Sequence, residues 1–237
     1  MKALKLIVCM VVFAGGSEID AQEWQERSID DFDRVVVTGK IQVELAPGEE
    51  NSLRIETTNV SPGKVLTDVS GSTLRIRTKP GIYSKANIIV KVSYVELNGI
   101  VASSGAHVMT MEKLTADKVS LDAEIGGKIS ALLAAEKLEA KSTEGGRIEL
   151  EGKVLEIIGE ANTGGYFQAP NLLVNMAQVK VTTGGIMMLK PLKELQAYVS
   201  TGGKLTYYGE PASVETRATL GGTIVHKSGG FESSTEK

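Results

Sequence analysis

Apolar and polar residues alternate in short runs along most of the chain, and pairs of glycines interrupt these runs at nearly regular intervals. The first glycines of six such pairs are Gly126, Gly145, Gly164, Gly184, Gly202 and Gly221. The steps between them are 19, 19, 20, 18 and 19 residues. A period of this length is typical of a solenoid, in which each repeat packs on its neighbours.

Alignment of the copies on the first glycine separates two kinds of position. Positions seven, five and three residues before it are apolar or small, as in Val119, Leu121 and Ala123. Positions four and two residues before it are mostly polar, as in Asp122 and Glu124. Side chains on a strand point alternately to opposite faces, so each copy predicts a strand with one buried and one exposed face.

The repeat is too short for a strand, helix and strand unit, which needs about 30 residues. It fits a coil of two or three short strands that stacks in parallel on the next coil, about 4.8 Å away. The sequence therefore predicts an all-β protein, a right-handed parallel β-helix, with the hand taken from the crossover rule. In such a stack Asp122, Lys141, Glu160 and Lys180 form a ladder of alternating charge on one exposed face.

Each glycine pair predicts a tight corner of the coil, because glycine adopts positive φ angles at little cost. A phosphate-binding loop is the alternative for such a segment, but the sequence holds no GxxxxGK[ST] motif. The calcium-binding GGxGxD repeat is absent as well. The six pairs are therefore interpreted as structural turns.

Residues 28–95 also alternate, but they do not follow the 19-residue period. Strands are predicted around Val43, Ile55, Ile76 and Val90, separated by turn signals that include Pro-Gly at 47–48, 62–63 and 80–81. We expect residues 22–95 to cap the N-terminal end of a solenoid formed by residues 96–227, as one continuous domain. Such a cap covers backbone groups that the outermost coil leaves unpaired. Residues 97–110 fit a first coil, and residues 228–237 a flexible tail.

Residues 1–21 have the layout of a secretory signal peptide. Lys2 and Lys5 precede an apolar run from Leu6 to Ala14, which is too short to span a bilayer. We expect cleavage after Ala21 and export to the periplasm, the cell surface or the medium. The cysteine in the sequence, Cys9, lies within this run, so the processed chain depends on its core alone for stability.

Charge and composition narrow the range of partners and cofactors. A formal net charge of −3 argues against a nucleic-acid partner. No metal or cofactor is predicted, because the two histidines, His107 and His226, lie far apart and no cysteine remains after processing. His226 is expected to cap the core near the C-terminal end of the stack.

Several segments together resemble a bacterial family. They are FDRVVVTGKIQVELAPGEENSLRIETT, then VSGSTLRIRTK, then IIVKVSYVELNGIVASSGAHV, followed by the glycine-pair repeats. The chain from about Phe32 to His226 resembles the family named putative auto-transporter adhesin, head GIN domain. The resemblance implies export by a Gram-negative bacterium, a β-helical fold and an adhesive role, and it brings no catalytic or ligand residues with it.

A β-helix can also be an enzyme, so a polysaccharide lyase or hydrolase is the main alternative. Such enzymes cluster carboxylates in a groove along the stack. The outward carboxylates are scattered over several columns, mostly beside lysine or arginine: Asp122, Glu139, Glu149, Glu151, Glu160 and Glu215. A non-enzyme is therefore predicted.

Exposed aromatic residues on a rigid stack favour a binding role. Alternation points Tyr166, Tyr198 and Tyr208 outward, and Ile186 and Met188 lie on the same outward rows as Tyr166 and Gln168. The three tyrosines are the candidate surface for a glycan or a surface protein. The sequence favours an exported adhesion or binding module, with no membrane span in the processed chain. A scaffold that assembles through the solenoid ends is a further alternative.

Overall fold

A computed structural model of the chain describes residues 22–83 and 85–229. Its strands are β1 (Gln22–Ser28), β2 (Arg34–Thr38), β3 (Gln42–Pro47), β4 (Ser52–Thr58), β5 (Val65–Ser70), β6 (Thr73–Thr78), β7 (Asn87–Tyr94), β8 (Gly99–Ser103), β9 (His107–Thr110), β10 (Leu114–Glu124), β11 (Lys128–Thr143), β12 (Arg147–Asn162), β13 (Tyr166–Val181), β14 (Ile186–Val199), β15 (Lys204–Tyr208), β16 (Ser213–Ala218) and β17 (Thr223–Lys227). A short 3₁₀ helix, Pro62–Lys64, precedes β5. The predicted leader, residues 1–21, and residues 230–237 of the predicted tail lie outside the described residues.

From β8 onward, successive coils pair in parallel. Hydrogen bonds between successive corners show that the corners lie over one another. The Gly126 amide donates to the Glu144 carbonyl of the next coil at 3.1 Å. The Gly202 amide likewise donates to the Leu220 carbonyl at 3.2 Å. The predicted all-β stack of parallel coils is thereby confirmed. We call the wall built by the residues before each corner the entry wall, and the wall built by those after it the exit wall.

The coils contain longer strands than the sequence predicts. β11, β12 and β13 each run for 16 residues without interruption. Register shifts in the middle of the coil, between Glu149 and Glu151 in β12 and between Ala169 and Leu173 in β13, interrupt the regular pairing. These irregularities also absorb the 20-residue and 18-residue steps, so that the corners stay aligned.

The inward positions form one continuous core. The column seven residues before the corner contains Val119, Leu138, Ile157, Ala177 and Leu195, all at most 3% exposed. Phe167 is fully buried in the exit wall, between Ile148 and Met187 of the neighbouring coils. Continuous burial of this kind, shared between neighbours, is what stabilises a solenoid.

The predicted charge ladder is in register, since Asp122, Lys141, Glu160 and Lys180 face one another on successive strands. Closer ion pairs between coils lie on other columns. Lys118 contacts Glu139, and Lys128 contacts Glu149, each pair with 2.8 Å between nitrogen and oxygen. Exposed pairs of this kind contribute at most about 1 kcal/mol each.

The two glycines of each pair have different roles. In the first corner the Gly127 amide donates to the Glu124 carbonyl at 2.9 Å, and Ile125 and Gly126 have φ angles of 49° and 71°. Two central residues with positive φ define a type I′ turn. Positive φ is thus adopted by the first glycine and by the residue before it, and the second glycine has a different role.

The second glycine is required because neighbouring coils approach closely. A Cβ atom on Gly127 would lie 2.1 Å from the Ala102 carbonyl oxygen of the preceding coil. The same holds at the other five corners, where the distance to the corresponding oxygen is 2.0 to 2.5 Å. These are Gly146, Gly165, Gly185, Gly203 and Gly222. Close approach of two backbones leaves room for a hydrogen atom only.

The N-terminal strands cap the solenoid, as predicted, but in an order that differs from the sequence. β2 and β3 stack in parallel on β8 and β9, and β6 and β7 stack on the far side of β2 and β3. Antiparallel strands complete the cap, with β5 on β6, β4 on β7 and β1 on β4. Arg27 of β1 donates to the Thr67 hydroxyl at 2.8 Å and so ties the two outermost strands together.

The opposite end of the solenoid is open in the described chain. β16 pairs only with β14, and β17 only with β15. Every residue of β16 is exposed, including Val214 at 44%, although its column is buried elsewhere in the stack. His226 stacks on the buried ring of Tyr207 with 4.6 Å between centroids, so it caps the core from the last coil as predicted.

Candidate binding surface

An open groove of about 860 Å³ lies on the outer face of the entry wall near the C-terminal coils. We call it the Tyr198 groove. It is lined by Ile158, Gly159, Glu160, Gln178, Val179, Lys180, Gln196, Ala197, Tyr198, Glu215, Thr216 and Arg217. Four successive coils contribute to it, because the same outward positions recur at each step of the stack.

Strand register determines the arrangement of polar groups in the groove. Tyr198 lies between Lys180 and Arg217 on the neighbouring strands. Two residues earlier, Gln196 lies between Gln178 and Glu215. Because neighbouring strands are about 4.8 Å apart, one row of amides runs beside one row that contains the aromatic ring and the two cations.

The ring of Tyr198 is held in place and remains accessible. It is 38% exposed, and its hydroxyl lies 3.3 Å from the Thr219 hydroxyl oxygen. Hydrogen bonds from Thr219 and Ser200 lower the pKa of Tyr198 below its ordinary value. An accessible aromatic face packs against apolar surface, and amide and hydroxyl groups both donate and accept hydrogen bonds. This combination suits a ligand rich in hydroxyl groups.

The structure does not bring the three predicted tyrosines together. Tyr166 lies on the exit wall, and the Arg147 guanidinium covers its ring with 4.4 Å between the carbon and the ring centroid. Tyr208, predicted to point outward, is 4% exposed, with the Lys227 ammonium 5.8 Å from its ring centroid. Alternation gives the side of the strand from which a ring projects, but not what packs over that side. A surface of three tyrosines is therefore corrected to Tyr198 alone.

A smaller groove of about 480 Å³ lies on the exit wall around His107 and Glu149. Glu149 accepts from Lys128 at 2.8 Å and from the Ser130 hydroxyl at 3.4 Å. His107 Nε2 is buried and has no hydrogen-bond partner among the described residues. Burial and the Lys128 ammonium lower the pKa of His107, while Glu149 acts in the opposite direction. The two histidines stay apart, since six coil steps of about 4.8 Å separate their strands.

The lowered pKa of His107 predicts a dependence of stability on pH. The stability that this group contributes is fully present above its unfolded pKa of about 6.5, and is lost as the pH falls through the folded pKa. We expect a loss of less than about 1 kcal/mol between roughly pH 7.5 and 5, since the ring is partly solvated. Urea midpoints of the parent and of His107→Gln over this range measure it. Equal slopes for the two proteins would contradict the prediction.

Two of the outward carboxylates, Glu139 and Asp122, have different surroundings. Glu139 pairs with Lys118, and that hydrogen bond lowers the pKa of Glu139. Burial raises the pKa of Asp122, with Lys141 opposing the shift. In residues 22–83 and 85–229, no group of three or more histidine, cysteine, aspartate or glutamate residues could hold a metal ion. No helix within these ranges is long and apolar enough to cross a membrane.

Sequence reasoning missed the two amides of the groove, Gln178 and Gln196. Both stand six residues before the first glycine of their corner, at an outward position of the repeat. The alternation that singled out Tyr198 applies to this column as well. A search for neighbouring outward columns that both carry hydrogen-bonding groups would have found them.

Comparison with protein-family models gives one match, to the family described as Putative auto-transporter adhesin, head GIN domain, over residues 31–211. The match covers the cap from β2 onward and all but the last described coil. No curated protein matches the chain.

Several solved structures have a similar fold. A putative adhesin from Bacteroides fragilis NCTC 9343 has a TM-score of 0.79 and 19% identity, over 90% of this chain and 100% of that one. A putative adhesin from Parabacteroides merdae ATCC 43184 has a TM-score of 0.69 and 21% identity, over 87% and 96%. A putative lipid binding protein from Parabacteroides distasonis ATCC 8503 has a TM-score of 0.66 and 18% identity, over 87% and 96%. At these identities the similarity shows the fold alone.

Proposed function

Because the chain belongs to the family of the putative auto-transporter adhesin, head GIN domain, we propose that it is an exported, non-catalytic adhesion module that binds a glycan in the Tyr198 groove. The family and the β-solenoid fold support a binding or adhesion role. The signal-peptide layout of residues 1–21 supports export to the periplasm or the cell surface.

The single observation that carries the glycan assignment is the accessible ring of Tyr198, which lies between two cations in its own row and beside a row of amides. Its exposed face offers apolar contact to the C–H groups of a sugar ring. Gln178 and Gln196 supply amides on one side, and Lys180 and Arg217 supply donors above and below the ring. These groups occur on strands paired through their backbones, so ligand binding orders side chains only and does not also have to order the backbone that carries them.

A carbohydrate-active enzyme has less support. The two carboxylates of the groove, Glu160 and Glu215, belong to different rows and lie beside Lys180 and Arg217. Glu160 also accepts a hydrogen bond from the Asn162 amide at 3.0 Å. The two carboxyl groups of a hydrolase flank one bond about 5 to 9.5 Å apart, whereas the strands of Glu160 and Glu215 are separated by three coil steps of about 4.8 Å.

Replacing Tyr198 with alanine should reduce retention on a glycan that the parent chain binds by about tenfold or more, because the central aromatic contact is lost. Glycan-array retention followed by titration calorimetry on the best glycan measures the loss. Tyr166→Ala is the matched control, since Arg147 already covers that ring. Equal losses for the two variants, or no loss for Tyr198→Ala, would contradict the assignment of the groove.

A further inference from the structure

Each strand of the last described coil is hydrogen-bonded to a neighbouring strand on one side only. β16 bonds to β14 and β17 to β15, while the other edge of each strand carries no partner among the described residues. The inward positions Val214, Thr216 and Ala218 are exposed at this end of the stack, and Leu220 at the corner is 80% exposed. A strand edge with free N–H and C=O groups beside apolar side chains is a template for pairing with another strand.

The two ends of the solenoid differ in how their outermost strands are covered. At the N-terminal end, the antiparallel strands β1, β4 and β5 cover the coil-like layers, and Arg27 joins β1 to β5. At the C-terminal end, the described residues end in the parallel strands β16 and β17, and no antiparallel strand among them covers these two. Among the described residues, the uncovered edge is therefore formed by β16 and β17.

We propose that a second copy of this chain pairs with this edge, β16 against β16 in antiparallel orientation, about a twofold axis through Thr216. In this register Glu215 lies opposite Arg217 of the second copy, and Arg217 lies opposite Glu215. Two opposite-charge cross-strand pairs form on the outer face. On the inner face Val214 lies opposite Ala218, so the apolar columns continue into the second molecule.

Charge selects this register over its neighbours. Directly opposed residues of an antiparallel pair share a face, so the twofold axis must pass through a residue, and the three centres near the middle of β16 are Glu215, Thr216 and Arg217. Centring on Glu215 opposes two carboxylates, and centring on Arg217 opposes two guanidinium groups. The register centred on Thr216 replaces both repulsions with attractions, and it is self-complementary as a twofold interface requires.

Cysteine cross-linking tests the register directly, in chains in which Cys9 is replaced by serine. Thr216→Cys places two thiols on the axis, with the Cα atoms about 4.5 to 5.5 Å apart, within disulfide range. Val214→Cys is the matched control, because its copies would lie roughly 14 Å apart along the strands. We expect Thr216→Cys to form a covalent dimer under mild oxidation. Val214→Cys should do so only when mixed with Ala218→Cys.

Charge reversal tests the interaction that selects the register. Glu215→Arg or Arg217→Glu should raise the dimer dissociation constant about tenfold or more, and the double exchange should restore it. Sedimentation velocity up to about 1 mM, the range of weak specific association, measures this constant. Three results would overturn the proposal: a parent chain monomeric throughout, equal cross-linking of Thr216→Cys and Val214→Cys, or dimers that form only after residues 230–237 are removed. The last result would make the chain's own tail the occupant.

Discussion

Gly165→Ala is expected to lower the free energy of unfolding by about 3 kcal/mol or more, whereas Gly164→Ala, one residue away, should cost only about 1 kcal/mol. A Cβ atom on Gly165 would lie 2.0 Å from the Ser142 carbonyl oxygen and 2.9 Å from that of Asn162. Both obstacles are backbone atoms: the Ser142 oxygen lies on the preceding coil, and the Asn162 oxygen accepts the Gly165 amide within the turn at 2.8 Å. Relief therefore requires that two coils separate or a strand bend.

The neighbouring substitution meets a different constraint. Gly164 has a φ of +72°, but a Cβ atom there would contact nothing within 4 Å. Its cost is the backbone strain of a non-glycine residue at positive φ, which Thr163 already carries at 49°. Urea denaturation of both variants, followed by far-ultraviolet circular dichroism, compares the two losses. Similar losses for the pair, or a larger loss for Gly164→Ala, would contradict the assignment of separate roles.

Phe167→Ala is expected to cost about 3 to 5 kcal/mol, the second of the two largest effects. The ring is fully buried in the middle of the stack, and the flanking side chains, Ile148 and Met187, belong to coils fixed by their own backbone hydrogen bonds. The coils cannot close inward to fill the space that the ring leaves. A cavity is therefore expected to remain.

Two further variants make the Phe167 measurement specific. Phe167→Leu retains much of the buried volume and should recover a large part of the lost stability. Leu192→Ala removes an apolar side chain that is 39% exposed on the next coil, and should cost less than about 1 kcal/mol. If Leu192→Ala is as damaging as Phe167→Ala, the stability of the coils does not come from the central column.

The stack could be predicted from the sequence because alternation and period carry independent information. Alternation gives the inward face of residues such as Leu138, and the glycine steps give the column on which each face stacks. The role of the second glycine needed coordinates, since the obstacle to Gly165 is an oxygen on Ser142, 23 positions earlier. The insertion of β2 and β3 between two later layers leaves no signal in the sequence, because strands of equal hydrophobicity can exchange places in a stack.

The candidate site was predictable only in part. Tyr198 is exposed as its position in the repeat indicates, but Tyr208 at the end of β15 is buried, together with the rest of Leu205 to Tyr208. Alternation fails there because both faces of that strand are covered. The amides of Gln178 and Gln196 became significant only when register placed them beside the ring. Pattern thus identifies which residues face outward, and packing determines which of those remain accessible.

The parallel ladder has a mechanical consequence. The strands run perpendicular to the long axis of the stack. Tension along that axis therefore acts on the hydrogen bonds of one coil interface at a time, and the coils detach in sequence. Detachment begins at β16 and β17, which have a neighbouring strand on one side only among the described residues. Tension along the strands instead shears all the bonds of an interface together. Resistance to pulling should therefore depend on the direction from which the force arrives.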